Sequence, residues 1–258
     1  MQNDKSRFKM KRKMKQLNFV FIIVLLFSMN IVYADINEEL LKASEEGNIE
    51  AVRTLLDKEA NVNAKGEEGI TALIAASQCG QTDIVKLLIE KKADVNTKNN
   101  YGVTALMWAA SIGKIDIVKL LIEKGADVNT KTNNGVTALM MASLNGYTDM
   151  VKLLIEKGAG VNMKTNDGVT ALMWAPDTDT VKLLIDKGAD VNVKTNDDGH
   201  TALMGASLYG KIDTVKLLIE KGADVNVKNK YGRTALKMAS DMGHTDIVEL
   251  LKQAGAKE

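Results

Sequence analysis

A short pattern, Gly-x-Thr-Ala-Leu, recurs six times along this chain of 258 residues. Its glycines stand 33 residues apart, with one interval of 31, at positions 69, 102, 135, 168, 199 and 232. Each copy is followed by a short apolar segment, a glycine, a second apolar segment and a polar turn. A fixed period of this length is the signature of a repeat architecture. The chain is therefore expected to stack one small unit many times.

The apolar residues within a unit have helical spacing. In the third unit, Leu106, Ala109 and Ala110 share one side of a first helix. A second helix places apolar residues on one side at positions 117, 118, 120 and 121. Helices of about ten residues are marginal alone in water. They must pack on each other and on the next unit, which explains why the sequence repeats.

Local signals predict where these helices begin and end. A threonine stands where its hydroxyl can cap each first helix, at Thr71, Thr104, Thr137, Thr170, Thr201 and Thr234. Gly125 follows the second helix where a left-handed residue is wanted. Glu59 and Lys92 replace that glycine in the first two units. If they keep the left-handed conformation, each costs on the order of 1 kcal/mol.

The residues from 36 to 258 resemble ankyrin repeats. The matching elements are the 33-residue period, G-x-T-A-L-M-x-A in place of the family's Gly-x-Thr-Pro-Leu-His-x-Ala, and G-x-x-D-I-V-K-L-L-I-E-K-G-A-D-V-N. Alanine replaces the family proline, as at Ala105. Methionine mostly replaces the family histidine, so packing substitutes for hydrogen bonds between repeats, at Met107, Met140, Met173 and Met204.

The resemblance implies an all-α repeat solenoid of stacked helix-turn-helix units with β-hairpin turns. Residues 35–258 are expected to form one ankyrin repeat domain. Its seven repeats are approximately 36–67, 68–100, 101–133, 134–166, 167–197, 198–230 and 231–258. The acidic first unit and the polar last helix, with Glu249, Lys252 and Gln253, are expected to cap the two ends.

The fifth unit is shorter than the others. Aligned on the fourth unit, it lacks residues equivalent to Ser143, Leu144 and Asn145, and Pro176 stands in the place of Gly146. Its first helix is therefore predicted to lose the last turn, with Asp177 or Thr178 capping the next helix. An extra residue lengthens the following turn. Two interpretations remain open: a tolerated deletion with a local kink, or a functional notch.

Residues 1–34 have the layout of a secretory signal. Seven basic residues lie between Lys5 and Lys15, the apolar run FVFIIVLLF follows, and Val32 and Ala34 suit cleavage before Asp35. The apolar stretch is shorter than the roughly 20 residues of a spanning helix. The sequence therefore predicts a signal peptide and an exported protein, periplasmic or secreted. An uncleaved membrane anchor is the alternative.

Charge and composition narrow the classes of partner. Residues 35–258 carry 27 Lys and Arg against 32 Asp and Glu, a formal net charge of −5. A mildly acidic domain is poorly suited to phosphate backbones. The basic N-terminal run could be a nucleic-acid arm, but its position before an apolar segment favours export. We expect a protein partner, no nucleic acid and no stable membrane insertion after cleavage.

Few residues could support catalysis or metal binding. Both histidines have other expected places: His200 at a turn tip and His244 at the start of a second helix. They cannot easily supply a metal cluster or a nucleophile and base. Acidic pairs in the turns lack the spaced oxygens of a calcium loop. The lone cysteine, Cys79, is expected to be a small buried apolar side chain. No enzyme activity, cofactor or metal is predicted.

Ankyrin repeats usually bind proteins through turn tips and the exposed side of the first helices, on the concave face. The resemblance implies contacts at Tyr101, Val103, Trp108, Ile112, Asn134, Val136, Leu144, Asp167, Trp174, Asp198, His200, Leu208, Tyr209, Tyr231, Arg233 and Asp241. Tyrosine and tryptophan are enriched among interface anchors. Trp108 and Trp174 could instead pack within the groove wall.

Three functional classes follow. The first is an exported, non-enzymatic module that binds another protein, with an accessory or inhibitor of an exported enzyme as a narrower version. The second is a self-associating structural component of the envelope. The third, an enzyme, has the least support in the sequence, and fold alone does not identify a partner.

Overall fold

Helices stack in pairs along the part of the chain that a computed structural model describes, residues 36–257. The predicted signal peptide lies outside the described residues. The 14 α-helices within 36–257 form seven helix-turn-helix units. Each unit packs first helix on first helix and second helix on second helix against its neighbours. The all-α repeat fold and the seven units are confirmed.

The first helices vary in length from four to eleven residues, whereas every second helix has nine. The first helices are α1 (36–46), α3 (Ala72–Gln78), α5 (Ala105–Ser111), α7 (Ala138–Leu144), α9 (Ala171–Trp174), α11 (Ala202–Leu208) and α13 (Ala235–Asp241). The second helices are α2 (Ile49–Asp57), α4 (Thr82–Glu90), α6 (Ile115–Glu123), α8 (Thr148–Glu156), α10 (Thr178–Asp186), α12 (Ile212–Glu220) and α14 (Thr245–Gln253). A single 3₁₀ turn, Glu67–Gly69, precedes α3.

Threonine caps most of the first helices, as predicted. Thr104 Oγ1, for example, accepts a hydrogen bond from the backbone N–H of Met107. Thr71, Thr137, Thr201 and Thr234 do the same. Thr170 differs, because its buried hydroxyl has no hydrogen-bond partner. The four-residue α9 turns more tightly, with the Met173 N–H donating to the Thr170 carbonyl.

The core lies between successive units. Leu106 and Met107 of α5 and Ile117 and Leu121 of α6 are almost completely buried, and the same positions are buried in most neighbouring units. Met140 and Met204 are buried as well, which fits packing at the position where the family has histidine. Met173, in the shortened fifth repeat, is only partly buried.

One buried-residue prediction is wrong. Cys79 is exposed, because it stands just beyond the last residue of α3, where the chain leaves the core. Burial of part of its surface and the nearby Glu45 carboxylate both raise the pKa of the thiol.

Two non-glycine residues keep the left-handed conformation of the glycine that they replace. Glu59 has φ of 65° and Lys92 has φ of 68°, where the equivalent Gly125 has φ of 89°. A third, Glu68 in the 3₁₀ turn with φ of 54°, was not anticipated. A Cβ atom in this region clashes with backbone, so each of these residues stores local strain.

A row of asparagines connects each unit to the next. Asn129 Oδ1 accepts from the backbone N–H of Gly160 at 2.8 Å, and its Nδ2 donates to the Gly158 carbonyl at 2.9 Å. The same two bonds recur at Asn96, Asn162 and Asn192. Each asparagine thus satisfies backbone groups just after the second helix of the following repeat.

Hairpin-shaped turns join the units. In the second turn the Asn99 N–H donates to the Val103 carbonyl at 3.0 Å. The turn before α11 is one residue longer, as predicted. Its Thr195 N–H donates to the carbonyl of His200, five positions later, whereas the equivalent bond from Asn99 reaches Val103, four positions later. Within residues 36–257 no residue is assigned to a strand, so the turns are hairpins in shape without extended arms.

The last unit presents a polar face where a further unit would stack. Lys237 is equivalent to the buried Met107 and Met140 of the third and fourth repeats, and its side chain is mostly exposed. It forms an ion pair with Asp241 at 3.0 Å. An open cavity of about 490 Å³ lies beside it, near Tyr231 and Leu236.

Replacing Lys92 by glycine should stabilise the protein. Glycine adopts φ of 68° without a Cβ clash, so Lys92→Gly is expected to raise the free energy of unfolding by about 1 kcal/mol. That corresponds to a melting temperature roughly 2–4 °C higher. Lys124→Gly is the matched control, because Lys124 follows the second helix of the third repeat with φ of −92° and gains nothing from glycine. Equal melting temperatures for the two variants would contradict the assignment of strain.

Removing one asparagine of the row should destabilise the stack. Asn129→Ala deletes two inter-repeat hydrogen bonds, each worth about 1 kcal/mol, so a loss of about 2 kcal/mol is expected in urea unfolding followed by circular dichroism. Asn145→Ala serves as the control, because Asn145 bonds only to Met141 in its own repeat and is exposed. Its change should stay within roughly 0.5 kcal/mol. A common urea midpoint for the two would count against the role of the row.

Candidate protein-binding surface

Backbone hydrogen bonds bring the turn tips of successive repeats into one row. The Asn133 N–H donates to the Tyr101 carbonyl at 2.9 Å, and the Asn166 N–H to the Asn134 carbonyl at 3.0 Å. Equivalent bonds run from Asn196 to Asp167 and from Lys230 to Asp198. Five of the predicted contact residues therefore occupy equivalent positions on adjacent repeats: Tyr101, Asn134, Asp167, Asp198 and Tyr231.

Two tyrosines project from this row. Tyr101 is 55% exposed and Tyr231 is 68% exposed. Tyr101 Oη donates a hydrogen bond to Glu68 Oε1 at 3.0 Å, and this bond raises the pKa of the phenol. The Lys230 ammonium lies 5.2 Å from the centre of the Tyr231 ring, within cation–π distance. The rings are held in place and remain available to a partner.

The residues that follow the turn glycines form a second, less exposed row. Val103, Val136, His200 and Arg233 are all partly buried. Arg233 donates from Nη2 to Asp241 Oδ2 at 2.7 Å. Hydrogen bonds from Lys237 and the positive charges of Lys237 and Arg233 lower the pKa of Asp241. This ion pair ties the last turn to the end of α13.

A polar cluster fixes the lengthened turn. The Thr195 hydroxyl donates to Asp198 Oδ1 at 2.6 Å, and His200 Nδ1 lies 2.5 Å from Asp198 Oδ2. The Thr195 hydrogen bond is the main cause of a lowered pKa of Asp198, with the backbone and imidazole of His200 adding to it. Asp198 and His200 thus stabilise the turn as well as facing solvent.

The two tryptophans are half-buried. Trp108 packs against the hydrophobic core from the middle of α5, and Trp174 packs against it from the end of α9. Each side chain is partly buried and partly exposed, so contact of these two residues with a partner stays a prediction.

Four large apolar or aromatic residues lie near the ends of first helices. Leu144 is 52% exposed and Tyr209 is 73% exposed, whereas Ile112 is partly buried beside Gly113 and Tyr147. Leu208, next to Tyr209, is also partly buried. Exposed apolar groups of this size favour contact with another molecule when they lie close together.

The shortened fifth repeat contains a cavity. α9 ends at Trp174, Pro176 follows, and Asp177 caps α10 by accepting from the Thr180 N–H at 2.8 Å, as predicted. A cavity of about 360 Å³ occupies the space beside this break. It is lined by Leu144, Leu172, Met173, Trp174, Ala175, Pro176, Val181, Ala202, Gly205, Ala206, Tyr209, Lys211, Thr214 and Leu218. We call it the fifth-repeat cavity.

Several lining residues were not identified from the sequence as parts of a site. Gly205 and Lys211 are the clearest cases. The available signal was a glycine in the middle of a first helix, where Trp108, Met141 and Trp174 stand in neighbouring repeats. The three missing residues pointed to the same place, but only the packing shows that the neighbours leave the space open.

The described residues show no constellation for metal binding. Within 36–257, no three His, Cys, Asp or Glu side chains form a group that could hold a metal ion. The two histidines have different partners. His200 contacts Asp198, whereas His244 Nε2 lies 3.2 Å from the Leu208 carbonyl and its ring covers Gly210. Asp177 is used as a helix cap. The helices of this region are also too short or too polar to cross a membrane.

Comparisons with known proteins agree with this architecture. A family model described as "Ankyrin repeats (3 copies)" matches residues 40–132, 130–195 and 176–258. The crystal structure of the human ASB11 ankyrin repeat domain is similar, with a TM-score of 0.73 and 25% identity, covering 83% of this chain and 96% of that one. No curated protein matches the sequence. Ankyrin repeats are in general non-enzymatic and act in protein–protein interaction. With most of its length matched, the chain belongs to the ankyrin repeat family.

Proposed function

We propose that this protein is an exported, non-enzymatic ankyrin repeat module that binds another protein through its concave face. The observation that carries the proposal is the row of equivalent turn tips with exposed Tyr101 and Tyr231. Large aromatic side chains held on a rigid backbone lose little conformational entropy on binding, and they are frequent anchors of interfaces.

The surface around these tyrosines suits a protein partner. The stack is fixed by backbone bonds between tips, so a partner meets a preformed surface and little ordering is required. The first helices add Trp108, Leu144 and Tyr209, which extend the apolar area beyond the tips.

Export is proposed from the sequence of residues 1–34, with their basic segment, apolar segment and small residues before Asp35. The partner is then an extracytoplasmic or extracellular protein. An accessory or inhibitor of an exported enzyme is a narrower form of this function.

End-to-end self-association has less support. A second copy that stacked on the last repeat would bury Lys237, at the position where interior units have Met107 or Met140, together with its ion-pair partner Asp241. Burying this ion pair costs desolvation energy that its mutual attraction does not reliably offset. We therefore favour a different protein over a second copy.

A double variant tests the binding face. Tyr101→Ala with Tyr231→Ala should weaken the complex with a partner captured from the exported fraction by roughly 100-fold, since each anchor contributes about tenfold. Both rings are exposed, so the helical circular dichroism spectrum and the melting temperature should stay near those of the parent. Affinity is measured by calorimetry with the purified partner.

The matched control carries Lys119→Ala and Lys216→Ala, two exposed positions on second helices away from the tips. It should bind as the parent does. A partner whose affinity falls in the control and not in the tyrosine variant would place the interface on the opposite face and refute the proposal.

A further inference from the structure

We infer that the fifth-repeat cavity is a pocket for one large apolar side chain of the partner, presented next to a carboxylate. This inference rests on the proposed function, because the side chain belongs to the protein bound at the first-helix face. It adds to that function a specific anchoring point and the chemistry of the residue that fills it.

The cavity occupies the volume that a turn of helix fills in other repeats. In the fourth repeat Ser143 is fully buried at the end of α7, and its Oγ bonds to the Leu139 carbonyl at 2.8 Å. The fifth repeat has no counterpart, since α9 stops at Trp174 and Pro176 prevents its continuation. Met173 is left partly exposed as a result.

Gly205 enlarges the same space from the facing helix. A Cβ atom built on Gly205 meets no atom within 4 Å, and the residue lies inside α11. The equivalent residues are large in four other repeats, Trp108, Met141, Trp174 and Met238, and the second repeat has Ala75. Glycine within a helix is less stable than alanine, and an unfilled cavity also destabilises a fold. Two independent features therefore hold this space open, and a bound side chain would restore the missing packing.

The shape and lining fit an apolar group. Leu172, Val181 and Leu218 form apolar walls, and the exposed Leu144 and Tyr209 also line the cavity. A volume of about 360 Å³ lies within the range of roughly 300–1,000 Å³ for ligand pockets. A dry cavity of about 150 Å³ already accepts benzene. A leucine or phenylalanine side chain with part of its backbone therefore fits.

Lys211 supplies the charge preference. It is the only charged residue among those lining the cavity, and its Nζ donates to the Pro176 carbonyl at 2.6 Å. An ammonium has three donors, so it can bond a carboxylate beside that carbonyl. The pocket therefore favours an apolar residue adjacent to Asp, Glu or a chain terminus over one adjacent to Lys or Arg.

A random library of displayed nonapeptides, selected on the full chain, tests the inference. The selected peptides should share an apolar residue next to an acidic one. Gly205→Met, which introduces the side chain found at Met141 and Met238, should weaken their binding at least tenfold. Gly205→Met should melt no lower than the parent, because it fills space and removes a helical glycine. Inserting Ser-Leu-Asn after Ala175 should abolish binding in the same way.

Charge is tested by a matched pair. Lys211→Gln should weaken the selected peptides about tenfold, and Lys114→Gln should not, because Lys114 holds the equivalent position in the third repeat, where its side chain lies over Gly80. Binding should also fall when the acidic residue of the peptide is changed to lysine.

Three results would overturn the inference. Peptides that bind Gly205→Met as tightly as the parent, yet lose affinity for the Tyr101 and Tyr231 variant, would leave the proposed function standing and remove the pocket. A dimer abolished by Gly205→Met in light scattering would make a second copy the occupant. Failure to select any peptide with an apolar residue beside an acid would show that the cavity is only a packing defect.

Discussion

The structure depends on one constraint, which is that no single repeat can bury its own apolar face. The two helices of the third repeat have seven and nine residues. They bury Leu106, Met107 and Leu121 only because the adjacent repeats cover these side chains. The asparagine row adds direct bonds across each junction, as at Asn129, and it satisfies backbone groups that would otherwise end unpaired. Stability is thus a sum of interfaces between neighbours.

This constraint divides the positions of each repeat into two sets. The interface positions are nearly uniform along the chain, because each must fit the same neighbour. The tip and first-helix positions face solvent and differ from repeat to repeat, from Tyr101 through Asn134 to Asp167. A surface that varies on a scaffold that does not vary is what a binding protein requires, and the aromatic tips concentrate binding energy at a few of these positions.

Most of the backbone could be predicted because its causes are local. Helix caps, the left-handed φ of Lys92 and the cap at Asp177 follow from neighbouring residues alone. Burial was less predictable. Cys79 was expected inside, but its place at the end of α3 exposes it. The cavity depends on whether neighbouring repeats close over a missing turn, and a one-dimensional pattern contains no measure of that relaxation.

The fifth repeat can lose a turn because the deletion spares the asparagine row and the hydrogen bonds between second helices. Asn162 still bonds to Gly188 and Asp190 in the following repeat. In the second-helix layer, the Thr148 and Thr180 hydroxyls pair at 2.8 Å, and a similar pair joins Thr178 to Thr214. These hydrogen bonds connect the fifth repeat to the repeats on both sides of it. The missing volume is bounded by both layers, by Leu172 and Ala202 of first helices and by Val181 and Leu218 of second helices, and the exposed Leu144 and Tyr209 line it as well. A loss of packing that leaves the scaffold connected and is bordered by exposed apolar side chains has the geometry of a recess in a binding surface.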